Sequence, residues 1–175
     1  DPPIISLVNL GCAKNLVEAE SMSSRLARMG WELTADIPAA SVLVVHTCGF
    51  LEVARLEALR TIADLRRASP RAFLVMTGCF AQYVAGKNPA GVDAVLGTGE
   101  FDRLPEVMEA AARRVSGGGK IVSPSVKSSA TRSGPAGYHD ASLPRPLTAG
   151  QMSSYLRLSE GCNHRCTFCI IPQLR

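Results

Sequence analysis

The chain lacks any apolar run near the roughly 20 residues that a membrane-spanning helix requires, so a helical membrane protein is not expected. It also lacks a basic, apolar, small-residue leader and begins without Met, so no secretory signal is visible and a cytoplasmic location is expected. No Lys/Arg block dominates, and the net charge of +4 is modest. That charge fits loose association with an RNA-rich partner without demonstrating it. Structural zinc sites commonly pair two Cys-x2-4-Cys knuckles, and only one knuckle-like cluster is present. The turn after the first apolar run, Gly11-Cys12-Ala13-Lys14-Asn15, has one glycine and no Ser/Thr run, which argues against a flavin-binding redox protein. No internal repeat rises above the strand–helix alternation described below.

What is there is enough for one ordinary domain core: 175 residues, 46% of them hydrophobic. Disulfide scaffolds are typically small, secreted and poor in core residues, so the six cysteines are not read as three bridges. They divide instead into two sets of three. One set is the phrase Cys162-Asn-His-Arg-Cys166-Thr-Phe-Cys169. Three thiolates in one short loop suit three irons of a four-iron cluster, leaving the fourth iron without a ligand from that loop. Clusters used only for electron transfer usually have every iron ligated by protein. A three-cysteine loop therefore points to a cluster that binds a further molecule at its open iron.

The other set is spread along the chain. Apolar runs at 4–9, 42–47, 72–77 and 92–97 read as buried strands. Helical patterns lie at about 15–29, 51–68, 80–86 and 102–115, and Leu56, Leu59, Ile62, Ala63 and Leu65 give the second an apolar stripe. Strands alternating with helices predict an α/β fold, a parallel sheet flanked by helices. Cys12, Cys48 and Cys79 then follow strands one, two and three, each beside a glycine (Gly11, Gly49, Gly78). A parallel sheet carries all its strand ends on one edge, the ligand-binding edge of such folds, so three distant cysteines are expected on one side of the molecule. The alternative is three buried free cysteines acting as small hydrophobes. Residues 116–150, rich in Ser, Pro and Gly, read as a linker in which Lys120–Val122 and Tyr138–His139 dock locally. Residues 153–158 alternate like a strand and feed the second cysteine loop.

The phrases around Cys12, Cys48 and Cys79, with Leu96-Gly97-Thr98-Gly99, resemble the signatures of the methylthiotransferases. Ser159-Glu160-Gly161-Cys162 through Pro172 resembles the cluster loop of radical S-adenosylmethionine (SAM) enzymes. Lys14-Asn15 and Cys48-Gly49-Phe50 are closer to the branch that modifies a ribosomal protein than to the branch that modifies transfer RNA. Ala13 stands where the family often has Pro, and His46 where it usually has Asn.

The resemblance implies a domain at 1–115, the linker at 116–150, and at 151–175 the first strand and cluster loop of a truncated radical SAM partial barrel. It implies two [4Fe-4S] clusters, one on Cys12, Cys48 and Cys79, the other on Cys162, Cys166 and Cys169, with SAM chelated at the open iron of the latter. It implies that a radical derived from SAM removes hydrogen from the β-carbon of an aspartate in a small-subunit ribosomal protein, and that a methylthio group is added there. Phe168 is assigned to the adenine, the cluster or plain packing in the barrel mouth. Lys14 and Asn15 are assigned to cluster orientation or, more simply for Asn15, to capping the following helix. His46 is read as a hydrogen-bonded histidine at a strand end, or as a contact of the cluster region. The partners implied are the ribosomal protein, an electron donor of reductase or flavodoxin type, and RNA through a C-terminal domain not seen here; no membrane is implied. A full barrel takes about 250 residues, so this chain is expected to be inactive alone. The rival readings are a transfer RNA methylthiotransferase and a non-catalytic iron–sulfur module that binds the ribosome.

Overall fold

The computed structural model describes residues 3–84, 87–98, 100–117, 145 and 152–175. The elements run β1 (Ile4–Asn9), α1 (Ala13–Arg28), β2 (Glu32–Leu33), β3 (Val42–Thr47), α2 (Glu52–Ala68), β4 (Phe73–Gly78), α3 (Cys79–Val84), β5 (Ala94–Leu96), a 3-10 turn (Phe101–Arg103), α4 (Leu104–Val115) and α5 (Ile171–Leu174). The five strands form one sheet in the order β2-β1-β3-β4-β5, with every pairing parallel. The expected α/β class holds. The two-residue β2 was not foreseen, because a pair of residues carries no readable alternation.

β3 and β4 are buried at all six positions each, since helices cover both faces. Their alternate side chains feed two cores. Val42, Val44, Phe73 and Val75 pack with Met22 and Leu26 of α1 and with Leu104, Val107 and Met108 of α4. Leu43, Val45, Leu74 and Met76 pack with Ala58 and Ile62 of α2 and with Phe80 of α3. α4 shows why it forms and how it docks: Pro105 suits its first turn, and buried Leu104, Val107, Met108 and Ala111 repeat at helical spacing. Asp93 pins the start of β5 by accepting from the Leu74 N–H at 2.8 Å and pairing with Arg66 and Arg114.

Two expectations are corrected. The stripe of α2 is turned: Ala58, Ile62 and Leu65 are buried, whereas Leu56, Leu59 and Ala63 are exposed. Residues 153–158 form no strand, and Tyr155, Leu156 and Leu158 are exposed. An alternating segment becomes a strand only where a neighbour takes its backbone hydrogen bonds, and the described residues offer none. The helix expected at 80–86 is α3, whose last described residue is Val84. The local docking expected for 120–122 and 138–139, and Gly99, lie outside the described residues, as does most of the 116–150 segment.

Candidate functional site

The β1–β3 boundary is where chain order reverses, and in doubly wound sheets the ligand crevice lies outside the strand ends at that boundary. All three dispersed cysteines are here. β1, β3 and β4 are adjacent, and their register pairs Asn9 with His46, His46 with Thr77, and Thr47 with Gly78. Continuing that register by one residue sets Cys48 beside Cys79, and Cys12 follows Asn9 by three residues on the flanking strand. All six cysteines are free thiols.

Each dispersed cysteine has its own setting. Cys12 precedes α1 and is exposed; its thiol donates to Asn15 Oδ1 at 3.2 Å. Asn15 Nδ2–H in turn donates to the Thr47 carbonyl at 3.2 Å. Asn15 therefore does not cap α1: it lies inside the helix and ties the Cys12 turn to the end of β3. Cys48 is half-buried. Cys79 opens α3 and is buried; burial pushes its thiol up, and Arg175, whose Nε–H donates to the sulfur at 3.2 Å, opposes that rise.

Two glycines hold Cys48 and Cys79 together. A Cβ on Gly49 would stand 2.6 Å from the Cys79 carbonyl carbon, and one on Gly78 would stand 2.5 Å from the Thr47 carbonyl oxygen. Gly78 also has φ of +94°, a region that side-chain-bearing residues rarely adopt. Gly78→Ala is expected to destabilise the chain by about 2 kcal/mol or more, read from the urea midpoint at unchanged m-value; a midpoint within error of the parent contradicts the packing described.

Beneath the cysteines lies a buried polar cluster. Glu18 of α1 and His46 of β3 have no exposed side-chain surface and meet at 3.0 Å, Nε2–H donating to Oε2. His46 is thus the hydrogen-bonded strand-end histidine expected. Arg175 grips Glu18 through both terminal nitrogens, Nη2 donating to Oε2 at 3.1 Å. Arg157 Nη1 donates to Glu18 Oε1 at 2.9 Å. Glu160 accepts from Arg175 at 2.9 Å, pairs with Arg157, and faces Lys14 at 3.5 Å. Burial alone pushes the Glu18 carboxyl up, but the hydrogen bonds from His46 and Arg175 win and lower it to about 2. Lys14 is lowered by burial and by the Arg175 and Arg157 charges. Arg175 loses from burial and gains more from Glu18, so its guanidinium is raised further.

Glu18, Arg157, Glu160 and Arg175 had not been singled out. One signal was available: Asn15, Glu18, Met22 and Leu26 fall on one helical stripe, so a carboxylate sits where a core residue belongs.

The second trio lies on the loop beyond Gly161. Cys162 and Cys166 are exposed, Cys169 is half-buried, and the Cys169 N–H donates to the Cys166 carbonyl at 3.1 Å. Phe168 is 91% exposed. Among the described residues, no three His, Cys, Asp or Glu side chains converge on one metal-ion position. A single zinc needs such a point. Thiolates around a cluster do not, because each takes a different iron of a larger body. Free thiols on three adjacent strand ends, with glycine backbones closing the turn, fit the latter.

The fold and site define a doubly wound α/β domain whose carboxyl edge carries one cysteine just past the end of each of three adjacent strands. Residues 5–97 match the family described as "Uncharacterized protein family UPF0004", and the chain belongs to that family. Proteins named ribosomal protein uS12 methylthiotransferase RimO are similar to it. The one from Pelotomaculum thermopropionicum is 40% identical over 179 residues, 98% of this chain and 37% of the relative. The one from Microcystis aeruginosa is 36% identical over 177 residues, covering 99% and 37%. The one from Syntrophotalea carbinolica is 37% identical over 177 residues, covering 98% and 36%. The chain thus spans little more than a third of the length of these relatives. Among the described residues, no helix is long and apolar enough to cross a membrane.

Proposed function

We propose that this chain is part of a radical SAM methylthiotransferase that adds a methylthio group to the β-carbon of an aspartate in ribosomal protein uS12. The observation that carries the reading is the placement of Cys12, Cys48 and Cys79 on three adjacent strand ends, with the Cys162–Cys169 loop held beside them by Arg157 and Arg175. The names of the similar proteins support the substrate. The division at 1–115, 116–150 and 151–175 belongs to the same reading.

Cys12, Cys48 and Cys79 would hold one [4Fe-4S] cluster, and Cys162, Cys166 and Cys169 a second. When bound, the clusters and SAM supply the radical and sulfur chemistry that an unactivated carbon requires. The chain's own residues prepare the ligands. Asn15 orients the Cys12 thiol from α1. Gly49 and Gly78 let the Cys48 and Cys79 turns touch. Arg175 directs a donor at the Cys79 sulfur, favouring its thiolate, the form that ligates metal. The carboxylates of Glu18 and Glu160 keep the neighbouring cations fixed. An electron donor of reductase or flavodoxin type and an RNA-contacting domain complete the set of partners, and a ribosomal substrate places the reaction in the cytoplasm.

Mass analysis of uS12 and of transfer RNA from a strain lacking the gene tests the reading. The expected result is uS12 without its methylthio group and normal transfer RNA. Normal uS12 with undermodified transfer RNA overturns the substrate.

A further inference from the structure

One carboxylate holds the second cysteine loop by both of its ends. Arg157 precedes Cys162 and Arg175 follows Cys169, and both guanidiniums reach Glu18. Their side chains are 6% and 3% exposed and Glu18 is fully buried, so this is not a surface ion pair. The rest of the contact is short-range and specific. Leu174 is buried, its carbonyl accepts from the Thr98 hydroxyl at 2.6 Å, and α5 packs on α3. Gly161 has φ of +65° and lies so close to Arg175 that a Cβ would stand 2.9 Å from its carbonyl oxygen.

Buried ion pairs stabilise little against apolar packing of the same volume, because desolvation offsets attraction; their best-attested use is to fix one arrangement among several. A planar guanidinium gripping a carboxylate through two nitrogens is especially directional. Three cations, Lys14, Arg157 and Arg175, face two carboxylates, Glu18 and Glu160. The surplus positive charge lies beside the strand-end cysteines, where ligating thiolates would be negative.

We propose that Glu18 is a positioning residue that clamps both ends of the 162–169 loop against the strand-end cysteines, and that Arg175, one arm of the clamp, also hydrogen-bonds the Cys79 sulfur. The first half stands on the contacts alone; the second rests on the iron–sulfur reading above. The clamp sets the separation of the two cysteine trios, and the sulfur hydrogen bond makes the strand-end cluster easier to reduce, since donors and positive charge near cluster sulfurs raise the potential.

Two measurements on the whole protein test this. The first is amide hydrogen exchange on the iron-free protein. Glu18→Gln keeps the shape but removes the charge, and exchange at 173–175, whose N–H groups donate to the Ile170 and Ile171 carbonyls, is expected to quicken at least tenfold while β3 and β4 stay protected. Arg157→Met removes one arm outside the sheet and is expected to quicken exchange at 173–175 by less than Glu18→Gln does, which keeps the test open should Glu18→Gln fail to fold. Unchanged exchange in the folded variants overturns the clamp. The second is the potential of the strand-end cluster, isolated by replacing Cys162, Cys166 and Cys169 with Ala. Arg175→Met is expected to lower it by a tenfold change in the reduction equilibrium, about 59 mV for one electron, and Arg175→Lys by less. An unchanged potential overturns the sulfur hydrogen bond. If the isolated site takes up no iron, the iron–sulfur reading fails, while the exchange result still decides the clamp.

Discussion

Glu18→Ala is expected to destabilise the chain by about 3–5 kcal/mol at neutral pH, because removing one member of a buried pair strands its partners. Here the partners are two guanidiniums and a histidine. Glu18→Gln is expected to cost less, since the amide retains one acceptor. Urea unfolding at pH 7 reads both. A loss below about 1 kcal/mol for the alanine variant would place the clamp at the level of an exposed ion pair. The same group gives a pH signature. Its carboxyl is depressed from 4.5 in the reference state to about 2 in the fold. Its contribution is therefore fully present above about pH 4.5 and lost as pH falls toward 2. At 1.36 kcal/mol per pKa unit, that contribution is about 3 kcal/mol. The parent chain should lose this increment between pH 4.5 and 2, and Glu18→Gln should lack that part of the acid dependence. Parallel acid profiles for parent and variant would contradict the assignment.

The second large effect concerns iron. Anaerobic reconstitution of the whole protein is expected to load about eight irons, roughly four per trio of thiolates. Replacing Cys12, Cys48 and Cys79 together with Ala should remove about half and leave the other half bound; replacing Cys162, Cys166 and Cys169 should do the converse. Iron content and the visible absorption of the cluster give the count. Loss of all iron from either triple variant would mean one shared site, and full retention would show that the replaced cysteines are not ligands.

The strands that place the site were legible because they are central. β3 and β4 bury every side chain, and Val42–Val45 and Phe73–Met76 are continuous apolar runs with a glycine, Gly49 or Gly78, soon after each. Parallel pairing followed from the helices between them, and a cysteine just past each run then had to lie on the common edge. Residues 153–158 misled for the reason those strands did not. Alternation describes a side-chain pattern, but a strand also needs a neighbour's backbone. The α2 stripe misled likewise, since Leu56 and Leu59 satisfy the period and yet face solvent.

Local pattern was thus sufficient for four of the sheet's five strands, its edge and the six thiols, because periodicity and glycine placement act over a few residues. The role of Asn15, and the meeting of Glu18 with His46, Arg157 and Arg175, came only with the folded chain. These groups are separated by up to 157 positions, and a charge inside a helix reads as solvated until packing removes the water and supplies its partners.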